Sequence, residues 1–489
     1  MIPSIHDPHF HFGSPAAFRL FSLLLAAGFL LADQPQTFAA TRTWTNTNPA
    51  TATWNRSSNW GVTGGVIPVS GDTALINNGG TALVPTGVTG NYTILNIGSN
   101  STGSGNVNIT GGTLNGVGGS PQVNLGQAAG GQGNVTISAG TWNAGTVAVG
   151  LSGNGTLNIS GGAVNSLVGT GLGINTGSVG TATVSGGTWT SVDDLGVGGS
   201  GNGTLNLTGS EVITLSTGKI LIASVAGSTG TLNVGTGTTA GTANTTTVKG
   251  GSGNATVNFN QSGNYTFAPA LTGNMQVNVI GNGTTILTAD SNYAGNTTIT
   301  NGMLLVMGDE SAVTGNTTVQ GGATLGGTGT IGGDVVMEAA STLSPGQSGA
   351  GLLTITHAIT MQASSTLAMQ LTGTGAGQYD QLYAGGNFTG GGTLDLNVSY
   401  AATAGDTFLL FTSGGFDSGS FTITTNLAGG LTWDDSQLAS TGVISIVPEP
   451  STFALSGLVL IAIAMFARRY RRPGLRGPEA RFSALPADS

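Results

Sequence analysis

The sequence predicts an all-β chain: a right-handed parallel β-helix solenoid followed by a single C-terminal transmembrane helix. Three observations lead there. A short unit recurs between Asn100 and Asn260, its equivalent aliphatics 22 to 28 residues apart. Each copy alternates apolar with polar side chains. Finally, an uncharged run from Thr452 to Ala467 is followed at once by Arg468, Arg469, Tyr470, Arg471 and Arg472.

From the N-terminus, Arg19 precedes the apolar segment Leu20 to Ala32, and Thr37, Ala39 and Ala40 are small enough for a cleavage site. That is the order of a signal peptide, expected over residues 1–40. His6, Asp7, His9 and His11 fall within this segment and are read as part of it, not as a metal site. Residues 41–100 are irregular and carry Trp44, Trp54 and Trp60 close together. Flat aromatic faces could bind sugar, but the end of a solenoid needs an atypical cover, so they are expected to form an N-terminal cap with the first coils.

The repeats occupy 101–350. Clear copies are Asn106-Val-Asn-Ile-Thr-Gly-Gly112, Asn134-Val-Thr-Ile-Ser-Ala-Gly140, Thr156-Leu-Asn-Ile-Ser-Gly-Gly162, Thr181-Ala-Thr-Val-Ser-Gly-Gly187 and Thr204-Leu-Asn-Leu-Thr-Gly-Ser210. The core positions expected to stack are Ile109, Ile137, Ile159, Val184, Leu207, Val234 and Val257. Alternation puts these aliphatics on one face of each strand, and the Gly-Gly pair lets the chain bend before a second short strand. One unit cannot bury its own apolar face, whereas stacked units about 4.8 Å apart bury a continuous ladder. A β-propeller needs roughly twice this period. A sandwich would be less regular, and a disordered linker would lack the aliphatics. The 87 glycines follow no every-third rhythm, which excludes collagen.

Leu287-Thr-Ala-Asp290-Ser-Asn292-Tyr293-Ala-Gly295, Gly302-Met-Leu-Leu-Val306, Gly321-Gly-Ala-Thr-Leu325-Gly-Gly-Thr-Gly329 and Leu343-Ser-Pro345-Gly346 continue the pattern over about residues 280–350. Together they resemble the autotransporter-associated β-strand repeat of secreted adhesin passengers. A C-terminal β region, 351–446, keeps the same character in Gln378-Tyr-Asp380-Gln-Leu382 and Gly391-Gly-Thr-Leu394. That family's usual partner is a membrane β-barrel translocator. Here a single apolar helix is expected in its place, so the route to the surface would be a different one.

As a helix, the Thr452–Ala467 run would extend about 24 Å, a little under the roughly 30 Å hydrocarbon core. Tyr470 and the arginines can lengthen the span by placing their polar ends among the headgroups. The arginine cluster favours a cytoplasmic 473–489 tail and an external solenoid. Val447, Pro448, Glu449 and Pro450, followed by this helix and by Arg468, Arg469, Arg471 and Arg472, resemble the PEP-CTERM sorting signal, over 447–472. The resemblance implies an exosortase-like membrane transpeptidase as partner. It further implies an inner-membrane precursor, later display at the cell surface or release, and association with exopolysaccharide or biofilm matrix.

Composition narrows the mature part. Between Thr41 and Ile446, Arg42, Arg56, Lys219 and Lys249 face fifteen Asp and Glu, a net charge near −11. Nucleic acid is therefore not an expected partner, nor is an anionic lipid surface. There is no cysteine, so stability must come from hydrogen bonding and packing. No cofactor or metal is expected: the Gly-x-Gly-x-Asp turns of calcium-loaded β-rolls are replaced by neutral ones such as Gly153-Asn-Gly155 and Gly201-Asn-Gly203.

The expectation for catalysis is none. His357 has no carboxylate at useful spacing and is read as a solvent-facing strand residue. The acidic doublets Asp193-Asp194, Asp309-Glu310 and Asp434-Asp435 each point to opposite strand faces. An alternative is a polysaccharide lyase or glycoside hydrolase on the β-helix, with Lys219 about one coil from Asp193 and Asp194. The triplets at Asn91, Asn158, Asn264 and Asn296 match the glycosylation acceptor pattern, but their asparagines are read first as turn residues.

Overall fold

Alternating aliphatic and polar residues make each repeat a strand with one dry and one wet face, and a computed structural model stacks these strands in parallel, coil upon coil. It describes residues 40–61, 65–209, 212–346, 349–417, 420–449, 460–466 and 468. The architecture is an all-β parallel solenoid. Gln132–Ala144, Asn154–Ser166 and Val179–Ser191 lie side by side as 13-residue strands. The Gly-Gly bend expected to separate two short strands is instead a bulge inside one long strand. Gly162 and Gly187 sit there with φ of 74° and 79°, which lets the ladder continue around the corner.

The interior column runs Ile109, Ile137, Ile159, Val184, Leu207, Val234, each directly opposite the next, and none is more than 1% exposed. Val257 does not continue it. Phe259 stands opposite Val234, while Val257 stands opposite Leu232 in the neighbouring column. Both registers bury the same face because side chains repeat every two residues, so alternation alone does not distinguish them.

One sheet of twelve strands runs from the Trp60–Gly61 and Thr41–Trp44 end to Asn292–Tyr293. The long bent strands form the facing layer. From Asn264 the second half of each coil separates into a third sheet of eight strands, Asn264–Phe267 to Thr422–Thr425. The coil shortens with it, and Val277, Thr297 and Thr317 follow one another at intervals of 20 residues.

Two glycine columns explain much of the composition. Gly98, Gly126, Gly150, Gly173 and Gly198 turn the first sheet into the next coil with φ between 59° and 80°, and Ala223 occupies the next position at 50°. Facing them are Gly105, Gly133, Gly155, Gly180, Gly203 and Gly230, which pair in register and end at Ala255. A Cβ on Gly155 would lie 2.0 Å from the Gly150 nitrogen, and one on Gly203 equally close to Gly198. The two columns touch through backbone alone.

Both ends are covered. At the N-terminal end Trp60 packs edge-on to Trp44 and Trp54, with ring centroids 4.9 and 4.7 Å away, and its indole donates to the Trp54 carbonyl at 2.7 Å. All three are buried, so their faces are used as a plug and not offered to a sugar. At the other end parallel coils persist as far as Phe411–Asp417 and Thr422–Thr425. Then Thr407–Leu409, Val443–Pro448 and Leu431–Asp434 form a three-stranded antiparallel sheet. Phe408, Ile444 and Ile446 are fully buried beneath it.

Residues 460–466 are helical and exposed. Among the described residues no helix is long and apolar enough to cross a membrane. The expected signal peptide up to residue 39, most of the 452–467 run, Pro450, Arg469, Arg471 and Arg472 lie outside the described residues.

Candidate sorting segment and outer contact face

Val443–Pro448 is the central strand of the C-terminal cap, held by Thr407–Leu409 on one side and Leu431–Asp434 on the other. Its end is the start of the predicted sorting segment. Val447 stands opposite Thr432 and Pro448 opposite Leu431, and the Glu449 amide donates to the Gly430 carbonyl at 3.0 Å. Hydrogen-bonded and non-hydrogen-bonded pairs alternate in an antiparallel ladder. The Glu449 bond therefore puts Pro448 at a non-bonded position, where its missing N–H costs nothing toward Leu431. The Pro448 and Glu449 side chains are exposed, as is Arg468 on the helical segment.

The outer face of the solenoid is built of amides and hydroxyls braced from coil to coil. Asn165 donates to Asn143 and Asn143 to Asn115, each at 2.8 Å. Asn278, Asn258, Asn233 and Asn206 form a second ladder at 2.8 to 2.9 Å. Asn91, Asn158 and Asn264 lie in strands, and only Asn296 is in a connection, which corrects the turn reading. An outward strand position lets one amide donate to the coil before and accept from the coil after. Turn propensity could not show this, because the partner is 20 to 28 residues away.

One shallow groove, of about 400 Å³, opens on this face, lined by Leu352, Thr354, Gln381, Tyr383, Phe411 and Thr412 among others. Tyr383 is 45% and Leu352 47% exposed. Thr354 and Thr412 flank Tyr383 on adjacent rungs. The Gln381 amide is anchored to the Leu409 carbonyl at 3.2 Å. The lining carries no charge, so the site offers a ring, a methyl cluster and hydroxyls.

The acidic doublets take structural places. Lys219 lies one coil from Asp194, whose carboxylate Oδ1 accepts from the Lys219 backbone amide at 2.8 Å, and the Leu195 amide donates to the Lys219 carbonyl. Asp309 is exposed and accepts from the Ser311 amide, which holds its carboxyl below the usual range. Its neighbour Glu310 points inward and is 3% exposed. Burial raises the Glu310 carboxyl to about 8. Its own burial, and after that the Glu310 charge, push Tyr293 up, while the Tyr293 hydroxyl bonds Thr297 Oγ1 at 2.6 Å. Asp434 is exposed, and hydrogen bonds from the Ser436 side chain and then its amide lower the Asp434 carboxyl. His357 is exposed in a bend between strands, not on one, with Nδ1 2.9 Å from Thr356 Oγ1.

Among the described residues three acids are buried: Glu310 belongs to one of the doublets read above, whereas the sequence did not mark Asp72 or Asp380 as acids of interest. Besides Glu310, Asp72 pairs with Arg42 at 3.1 Å. Asp380 accepts from the Gly351 and Gln370 amides, both at 2.8 Å, and burial raises it to about 6. The available signal was position: Glu310 occupies an inward slot of the two-residue period. No group of three or more metal-ligating side chains occurs among the described residues.

Residues 447–472 match the model of the PEP-CTERM protein-sorting motif. A stretch of 111 residues, 22% of this chain, is 45% identical to the adhesin BmaC autotransporter of Brucella suis biovar 1 (strain 1330) and covers 3% of that protein. The chain thus carries a PEP-CTERM motif and shares autotransporter-type repeats with an adhesin.

Proposed function

We propose that this chain is an exported, non-enzymatic, adhesin-like structural protein: a right-handed β-helix rod held in the inner membrane by a transmembrane helix at 452–467. An exosortase-type enzyme then processes it for the cell surface or the extracellular matrix. The observation that carries this reading is the PEP-CTERM motif beginning inside the last strand of a capped solenoid. The BmaC likeness supports a surface role. The ligand we assign is a neutral exopolysaccharide. The formal net charge of −9 disfavours acidic chains, and the uncharged groove around Tyr383 presents an aromatic body with polar neighbours. Repetition of weak contacts along a rod raises avidity without any strong single site.

The test compares cells making the full chain with cells making one truncated after Ile446. The full chain is expected to lose its C-terminal tail and to reach the surface or medium, as read by fractionation and mass spectrometry of the C-terminus. The truncated one should distribute differently. Equal distribution, with Ser489 intact in every pool, would sink the sorting reading. Purified rod should co-sediment with neutral matrix polysaccharide, and Tyr383→Ala should weaken this several-fold; no co-sedimentation leaves a spacer without a ligand.

A further inference from the structure

The sorting segment is not on a free linker. Its first residues are rungs of the cap: Val447 opposite Thr432, Pro448 opposite Leu431, and Glu449 bonded to Gly430. Ile446, the residue before them, is fully buried. Only Pro450 and Ser451 separate Glu449 from Thr452, where the uncharged run begins, and the three residue steps, fully extended, span only about 10 Å. A membrane enzyme acting near Glu449 must therefore work against the folded end of the rod.

We propose that the C-terminal cap is a latch on the sorting segment, so that opening of the Leu431–Asp434 strand controls the rate of processing. The proposal rests on the sorting reading above. Processing breaks one peptide bond. The acyl half passes to a nucleophile of the enzyme and then to water or an acceptor amine, and the amine half leaves, protonated, on the C-terminal helix. An enzyme that holds its substrate as an extended strand needs the backbone groups of Val447 to Glu449 that the cap now uses. When opening is fast relative to cutting, cleavage follows the population of the open form.

The geometry points to what holds the latch. Trp433 packs against buried Phe408 with ring centroids 6.0 Å apart, and its strand carries Thr432 and Leu431 against the motif. The cap sheet has few rungs, three to Thr407–Leu409 and four to Leu431–Asp434. It is joined to the third sheet by no strand pairing among the described residues. Such an element opens alone before the coils beneath it do.

The test uses the full chain in cells that contain the processing system. Trp433→Ala should speed loss of the C-terminal tail at least fivefold in a pulse-chase. Asp434 stands directly opposite Ser445, with Cα atoms about 5.5 Å apart as in any bonded antiparallel pair, within the span of a disulfide. The chain has no other cysteine, so Asp434→Cys with Ser445→Cys can form one bridge. Oxidised, this variant should be processed at least tenfold more slowly, and a reductant should restore the rate. That recovery separates a lock from a misfolded cap.

Replacing Pro448, Glu449 and Pro450 by alanine is the control for the motif. If wild-type processing needs the motif, but neither Trp433→Ala nor the bridge changes its rate, the latch is wrong and the sorting reading stands. If no variant loses its tail, the sorting reading fails and the latch fails with it.

Discussion

At residue scale, Glu310 is the feature with the clearest consequence. Its carboxyl lies at about 8 in the folded chain, against an ordinary 4.5, because burial penalises the charge. Between these two values the folded state binds more protons than the unfolded one, so this group's contribution to stability is full below about 4.5 and is lost as pH rises through 8. Asp380, raised to about 6, acts in the same direction over a lower window. We expect denaturation midpoints to fall between pH 5 and 8.5, with a slope of up to about 1.4 kcal/mol per unit from Glu310. Glu310→Gln should flatten that upper window in urea melts; an unchanged slope would show that the carboxyl does not titrate in the folded chain. The alternation made an inward-facing residue at 310 legible. How completely that acid would be buried was not, because local pattern carries no information on the interior around it.

Among the elements, the paired glycine columns set how tightly coils wind. Gly155 has backbone of Gly150 where a side chain would begin, so Gly155→Ala must force open the corner between two successive strands of one coil, and about 1–3 kcal/mol of stability should be lost. Gly119 has open space at the same test, and Gly119→Ala should change thermal stability little. Similar losses for both would mean that chain flexibility, and not contact, explains the glycines. The sequence showed the glycines and their period. It did not show that two columns face each other, since Gly150 and Gly155 meet across a corner. The asparagine ladders were hidden for the same reason: each amide bond joins residues a full coil apart, as between Asn143 and Asn165.

For the whole molecule, the caps decide whether a stack of coils is a soluble rod. Without Leu431–Asp434 and Val443–Pro448, Phe408 and Phe411 lose cover and the last parallel strands present open edges. A chain ending at residue 430, which keeps the parallel strands through Thr422–Thr425, should aggregate in size-exclusion chromatography while the chain through Glu449 stays monodisperse. Equal behaviour would show that the coils close their own end.

The period, the inward face and the PEP-CTERM motif were determined by the sequence alone, because each is a local order of residue types that physics reads within one strand or one helix turn. Val257 marks the limit, since a period of two leaves the register open by two residues, and only the folded stack shows that Phe259, not Val257, stands opposite Val234. The fate of the tail shows the same division. Its residues announced a sorting signal, but only the folded cap shows that Val447 and Pro448 are already paired, because that pairing is made with Leu431 and Thr432 and not with any neighbour in sequence.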